Sequence, residues 1–189
     1  THSARLFPSS KPSVADPTTP APPGLPAALP TGHPWRWVPS LYFAQGLPYV
    51  VVMTVSVVMY KRLGISNSDI ALYTSWLYLP WVIKPQWGPI VELYGTKRSW
   101  TLATQFGVSA ALVAVALALG SPLFFTATLA ILWAMALTSA THDIACDGFY
   151  MLGLPAHEAA AFVGVRSTSY RLAMITGQGA FVVFAGQLE

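Results

Sequence analysis

Residues 38–60 read VPSLYFAQGLPYVVVMTVSVVMY, twenty-three consecutive positions without a formal charge. At ~1.5 Å of rise per residue, a helix of that length exceeds the ~30 Å hydrocarbon core of a bilayer, so the stretch predicts a tilted membrane span. The rest of the chain supports a membrane setting. It has 189 residues, 54% hydrophobic and 9% charged, against roughly 25% charged in soluble domains. Thirteen of the seventeen charged residues follow position 36, spread among apolar runs. The formal charge of +3 forms no basic stripe of the kind phosphate neutralisation requires, which excludes nucleic acid as a partner. The single cysteine, Cys146, rules out an internal disulfide framework and reads as a small apolar filler.

Residues 1–37 form a Pro-rich segment predicted to be a flexible cytoplasmic tail. It lacks the charged start, continuous apolar stretch and cleavage site of a secretory signal. Residues 38–189 are predicted to be an all-α membrane domain with about five spans, near 38–60, 68–94, 99–119, 123–146 and 162–186. Ser66 and Asp69 make a capping-box variant that opens the second span. Three prolines, Pro80, Pro85 and Pro89, lie within it. Gly107 and Ala111 offer small-residue packing in the third span, and Gly120-Ser121-Pro122 is short enough only for a hairpin between antiparallel helices. Five spans collect Arg5, Lys11, Arg36, Lys97 and Arg98 on one side against Lys61 and Arg62 on the other. The excess of basic residues places the N-terminus in the cytoplasm.

Few residues within the spans carry charge. A cation at Arg171, ~13 Å into the fifth span, costs a few kcal/mol unless it faces a wet cavity or a partner. Snorkelling accounts for Arg166 and, as an anchor, for Lys84. Asp143 and Asp147, four apart, share a helical face, and His142 adds a group that titrates near neutrality. They are candidates for proton coupling; the alternative is that both are solvated at a helix end or paired with Lys97, Arg98 or Arg166. The run Gln45-Gly46-Leu47-Pro48-Tyr49 interrupts the first span, either as a broken-helix site or as a packing kink. His157-Glu158 begins a zinc-like HExxH, but Ala161 stands at the second ligand position, so no metal site is expected. No cofactor motif occurs.

The segment Gly88-Pro-Ile-Val-Glu92-Leu-Tyr-Gly95-Thr-Lys97-Arg98 resembles the GxxxDRxGRR loop signature of the major facilitator superfamily. Here Glu92 stands where Asp is usual, and the basic pair Lys97-Arg98 falls one place late. With LYFAQGLPY, LYLPWVIKPQWGPIVE, ATHDIACDGFY and VRSTSYRLAMITGQGA, in that order, the chain resembles AmpG-type muropeptide permeases; the WVIKP segment also resembles folate-biopterin transporters. This resemblance implies an incomplete N-terminal half of the superfamily's fold, the first five of twelve or more spans, with a C-terminal half as partner. It implies a secondary transporter rather than an enzyme, importing anhydro-muropeptides or a related anionic solute with protons by alternating access across a bacterial inner membrane. On this chain the family's polar motifs fall on Gln45, Asp143, Asp147, Tyr170 and Arg171. With Tyr49 added as a group that can meet hydroxyls or amides and His142 as the titrating neighbour of Asp143, the expected substrate-binding residues are Gln45, Tyr49, Tyr170 and Arg171, the proton-coupling residues His142, Asp143 and Asp147, and the gating loop Gly88, Glu92, Gly95, Lys97 and Arg98. Two other classes compete: a magnesium-dependent membrane transferase using Asp143 and Asp147 as a DxxxD pair, and a non-catalytic helical module.

Overall fold

The computed structural model describes residues 32–187, so most of the expected tail, residues 1–31, lies outside the described residues. Among the described residues all regular structure is helical. A 3-10 turn, Pro34–Arg36, leads into α1 (Val38–Val50), a π-helical stretch (Val51–Val55) and α2 (Ser56–Arg62), which together form one continuous rod. The expected interruption at Gly46–Pro48 is therefore not a break. Pro48 lies inside α1, and the lost backbone donor is absorbed by wider winding one turn later, where Val51–Val55 adopt π geometry.

The second stretch behaves in the opposite way. After a turn at Gly64, whose φ of 78° suits glycine, α3 (Asn67–Ser75) starts from Ser66. The Ser66 side chain accepts the Asp69 N–H at 3.1 Å and donates to the Asp69 carboxylate at 2.7 Å. The helix then fragments into a 3-10 turn (Trp76–Tyr78), α4 (Leu79–Ile83), a second 3-10 turn (Lys84–Gln86) and α5 (Gly88–Leu93). Pro80, Pro85 and Pro89 each stand in the first two positions of a new segment, where a missing N–H costs nothing. Ile83 (φ −92°, ψ 0°) and Trp87 (φ −109°, ψ 1°) leave helical geometry on either side of Lys84. The Trp87 indole donates to Thr141 Oγ1 at 3.2 Å, tying this joint to α7.

Gly95 (φ 74°) makes the turn into α6 (Lys97–Ala118), which is capped by reciprocal Thr96 and Ser99 bonds. A hairpin follows, and α7 (Phe124–Gly153) packs along α6. Gly107 meets Thr138 there: a Cβ on Gly107 would sit 3.0 Å from Thr138 Cγ2. The sequence predicts the fourth span to end near residue 146, whereas α7 runs seven residues further. Nothing between Asp147 and Gly153 forces a stop. The first residue that does is Pro155, which holds Leu154 in an extended conformation (φ −130°, ψ 138°). α8 (Ala156–Gln187) begins at once and packs along α1.

Two apolar clusters stabilise the bundle. One, at the α2–α3 end, gathers Val52, Tyr60, Ile70, Leu77, Val108, Leu132 and Met135. The other, at the end carrying the start of α1 and the α7–α8 connection, gathers Val38, Tyr42, Tyr150 and Leu154. Outward faces are apolar as well: Leu102, Phe106, Val113 and Leu117 are exposed along one stripe of α6, a surface suited to lipid rather than water. Among the described residues, three helices are long and apolar enough to cross a membrane: Pro34–Arg62, Lys97–Ala118 and Phe124–Gly153. The 68–94 stretch is too fragmented to count as one long helix.

Candidate functional site

Helical periodicity converges polar side chains from four elements on one cavity between the apolar clusters. On α1, Tyr42 and Gln45 are three apart; on α7, Asp143 and Asp147 are four apart; on α8, Arg166 and Tyr170 are four apart, with Ser167 beside them. Lys84 enters from the 3-10 joint of the second stretch. These eight residues line a cavity of about 290 Å³. Lys84 and Asp147 are shared with a second cavity of about 730 Å³, lined also by Pro85, Gly88, Glu92, Lys97, Gly148 and Met151. The polar centre thus continues into the loop-signature region at the same end of the bundle.

Two ion pairs organise the centre, and they differ. Arg166 Nη2 lies 2.9 Å from Asp147 Oδ1, the same oxygen that accepts the Tyr42 hydroxyl at 3.0 Å. The Arg166 guanidinium also sits 4.7 Å from the Tyr42 ring centre and 5.7 Å from that of Tyr150, within cation–π range. Lys84 Nζ is 3.7 Å from Asp143 Oδ2, a looser contact, and both partners line the cavity. Gln45 is 6% exposed, and its Oε1 has no hydrogen-bond partner within the chain. A buried amide oxygen without a donor is costly to keep; Gln45 lines the cavity, while this oxygen itself is enclosed by the protein.

The structure separates residues that the sequence had grouped. Gln45, Asp143, Asp147 and Tyr170 meet in the polar cavity. Tyr49 stands apart, edge-on to Trp81 at 5.2 Å. Arg171 is exposed and lines neither polar cavity, so the arginine of the centre is Arg166, four residues before Tyr170 on the same face, and not its neighbour. His142, turned ~100° from Asp143 on the helix, is buried against Cys146 Sγ at 3.4 Å. It lines a different, mostly apolar cavity of about 200 Å³ with Pro48, Gln105 and Val108. Gly88, Glu92 and Lys97 line the larger cavity, and Lys97 Nζ reaches Glu92 at 3.9 Å and the Val91 carbonyl at 3.3 Å. Gly148 makes room for it: a Cβ there would lie 2.8 Å from Lys97 Cε. Gly95 serves the turn, and Arg98 is exposed outside both cavities.

Lys84, Arg166, Tyr42 and Tyr150 escape a sequence reading that treats each charge by its depth. The available signals are the spacing of Tyr42 from Gln45 and of Arg166 from Tyr170, and the placement of Lys84 directly before a helix-breaking proline. Among the described residues no group of three His, Cys, Asp or Glu side chains is arranged to hold a metal. Asp143 and Asp147 each face a cation instead, which disfavours the DxxxD magnesium reading.

Apolar outward faces, a proline-segmented stretch and an interior polar cavity define an all-α, multi-pass membrane architecture. The chain belongs to the BT1 family, whose model matches residues 44–173. It is similar to the anhydromuropeptide permeases of Escherichia coli strain K12 and Escherichia coli O157:H7, 32% identical to each over 152 residues. The match covers 74% of this chain and 29% of each relative, so the chain spans less than a third of their length. No solved structure matches. The resemblance to AmpG-type permeases expected from the sequence motifs holds, and the all-α membrane architecture agrees with part of a major facilitator fold.

Proposed function

We propose that this chain forms part of a secondary transporter that carries an anionic solute of the muropeptide kind together with a proton, by alternating access across a bacterial inner membrane. The observation that carries this reading is the polar cavity itself: two carboxylates, two cations and an unsatisfied amide oxygen held inside an apolar bundle. Charged groups at that position are expensive to retain for structure alone. A solute bearing carboxylates and hydroxyls supplies partners for the cations and for Gln45. When an anion takes the place of Asp143 or Asp147 beside a cation, the freed carboxylate becomes available to accept a proton.

The test is uptake by the full-length protein in membrane vesicles. Asp143→Asn is expected to abolish accumulation of anhydro-muropeptide against its gradient while solute exchange persists at more than half the parent rate. Accumulation equal to the parent would move the proton carrier elsewhere. The proposed orientation has its own check. With Cys146 replaced, a cysteine at Asn67 is expected to react with an impermeant thiol reagent added to intact cells, and one at Thr96 to stay unlabelled until the cells are opened. The reverse pattern inverts the topology.

A further inference from the structure

The two ion pairs of the cavity are built for different tasks. Asp147 and Arg166 are pinned by four contacts: the 2.9 Å pair, the Tyr42 hydroxyl on the same oxygen, and two aromatic rings around the guanidinium. A solute that displaced Asp147 would have to replace all of these at once. Lys84 is held by one long contact of 3.7 Å, retains a third of its side-chain surface exposed, and borders both cavities. It therefore meets whatever enters from the larger cavity. It also stands on the 3-10 joint between Ile83 and Trp87, both outside helical geometry. Lysine is a compact point charge with rotatable donors, suited to exchanging one carboxylate for another. Gln45 lines the same cavity, with its unpartnered Oε1 enclosed by the protein.

Resting on the transport reading above, we propose that Lys84 takes the anionic group of the solute in exchange for Asp143 and that Arg166–Asp147 remains closed throughout. The charges balance. The cavity begins with two carboxylates and two cations; one added carboxylate leaves a single excess negative charge, and one proton on Asp143 removes it. The solute class is then a carboxylate, carried with one proton for each carboxylate bound at Lys84.

The experiment measures calorimetric affinity of the purified full-length protein for an anhydro-muropeptide with free peptide carboxylates and for the same compound with those carboxylates amidated. Beyond the single Asp143→Asn, whose partner Lys84 keeps a third of its side chain exposed, charges are removed in pairs so that no uncompensated buried ion is left to unfold the protein. The parent is expected to prefer the free carboxylate at least tenfold, Asp143→Asn to keep that preference, and Lys84→Met with Asp143→Asn to lose it. Arg166→Gln with Asp147→Asn is expected to bind both forms more weakly while keeping the preference. Loss of preference in the Arg166 pair with retention in the Lys84 pair would overturn the assignment in favour of Arg166. A parent that binds both forms equally would overturn the role of Lys84 while leaving transport standing, whereas a parent that binds neither would overturn the transport reading together with this one.

Discussion

Gly46→Leu is expected to abolish the folded protein, giving no monodisperse peak in detergent size-exclusion chromatography. α1 and α8 cross with almost no space between their backbones at this point: a Cβ on Gly46 would lie 2.7 Å from the Ala173 Cβ and 3.1 Å from the Tyr170 carbonyl oxygen. Neither is the end of a flexible side chain, so the helices themselves would have to part. A second contact one turn along works in the same way, since a Cβ on Gly177 would lie 3.0 Å from Val50 Cγ1. Ala173 and Gly177 are four apart on α8, the small-residue spacing that lets membrane helices approach closely. Overpacking a tight contact costs about 1–3 kcal/mol and sometimes more. Gly46→Ala is expected within that range, read as a lowered unfolding temperature, and leucine well beyond it. Because the α1–α8 crossing sets Gln45 beside Tyr170, loss of the cavity goes with loss of the crossing. A Gly46→Leu variant that eluted as a single peak with the parent's unfolding temperature would show that the two helices do not pack through Gly46.

Arg166→Gln is expected to lower stability by about 2–3 kcal/mol, measured by thermal unfolding in detergent. Breaking a buried pair typically costs ~3–5 kcal/mol because one charge is stranded. Here the side chains of both Arg166 and Asp147 remain 37% exposed to the cavity, so water screens part of that cost. The cation–π contacts with Tyr42 and Tyr150 add about 0.5–1 kcal/mol each. The double variant with Asp147→Asn is expected to cost less than the sum of the single changes, with a coupling of roughly 1–2 kcal/mol. Arg166→Lys is expected to recover the charge but little of the stacking. Additive effects, with no coupling, would mean that the pair is solvated and pins nothing.

These two expectations come from different sources of information. The membrane class, the turn at Ser66–Asp69, the hairpin between α6 and α7 and the packing role of Gly107 follow from local composition and spacing. They depend on interactions within a few residues, or on the length of one apolar run against one bilayer. The pairing of Gln45, Asp143, Asp147 and Tyr170 was partly legible, because residues three or four apart share a face whatever else surrounds the helix. The placement of Arg171 was not. Depth along a helix follows from sequence, but rotation about the helix axis is set by what the helix packs against, and one position of difference turns a side chain by ~100°. That rotation exposes Arg171 and brings Arg166 to Asp147; it also turns His142 away from Asp143 toward Cys146.

What the sequence alone determined is that this chain is an all-helical membrane protein with a handful of interior charges, since the cost of burying charge and backbone polar groups in hydrocarbon is read directly from residue type and run length. The tertiary structure decided which charge meets which. Lys84 and Asp143 are fifty-nine positions apart and Tyr42 and Asp147 a hundred and five, brought within 3.7 Å and 3.0 Å. It also decided that α7 continues to Gly153, carrying both carboxylates away from a helix end and into the bundle. The physical reason is that ion pairing, cavity shape and helix crossing act between elements distant in the chain. Their geometry is fixed by close contacts such as Gly46 on Ala173, which no local pattern reveals until both helices are in place.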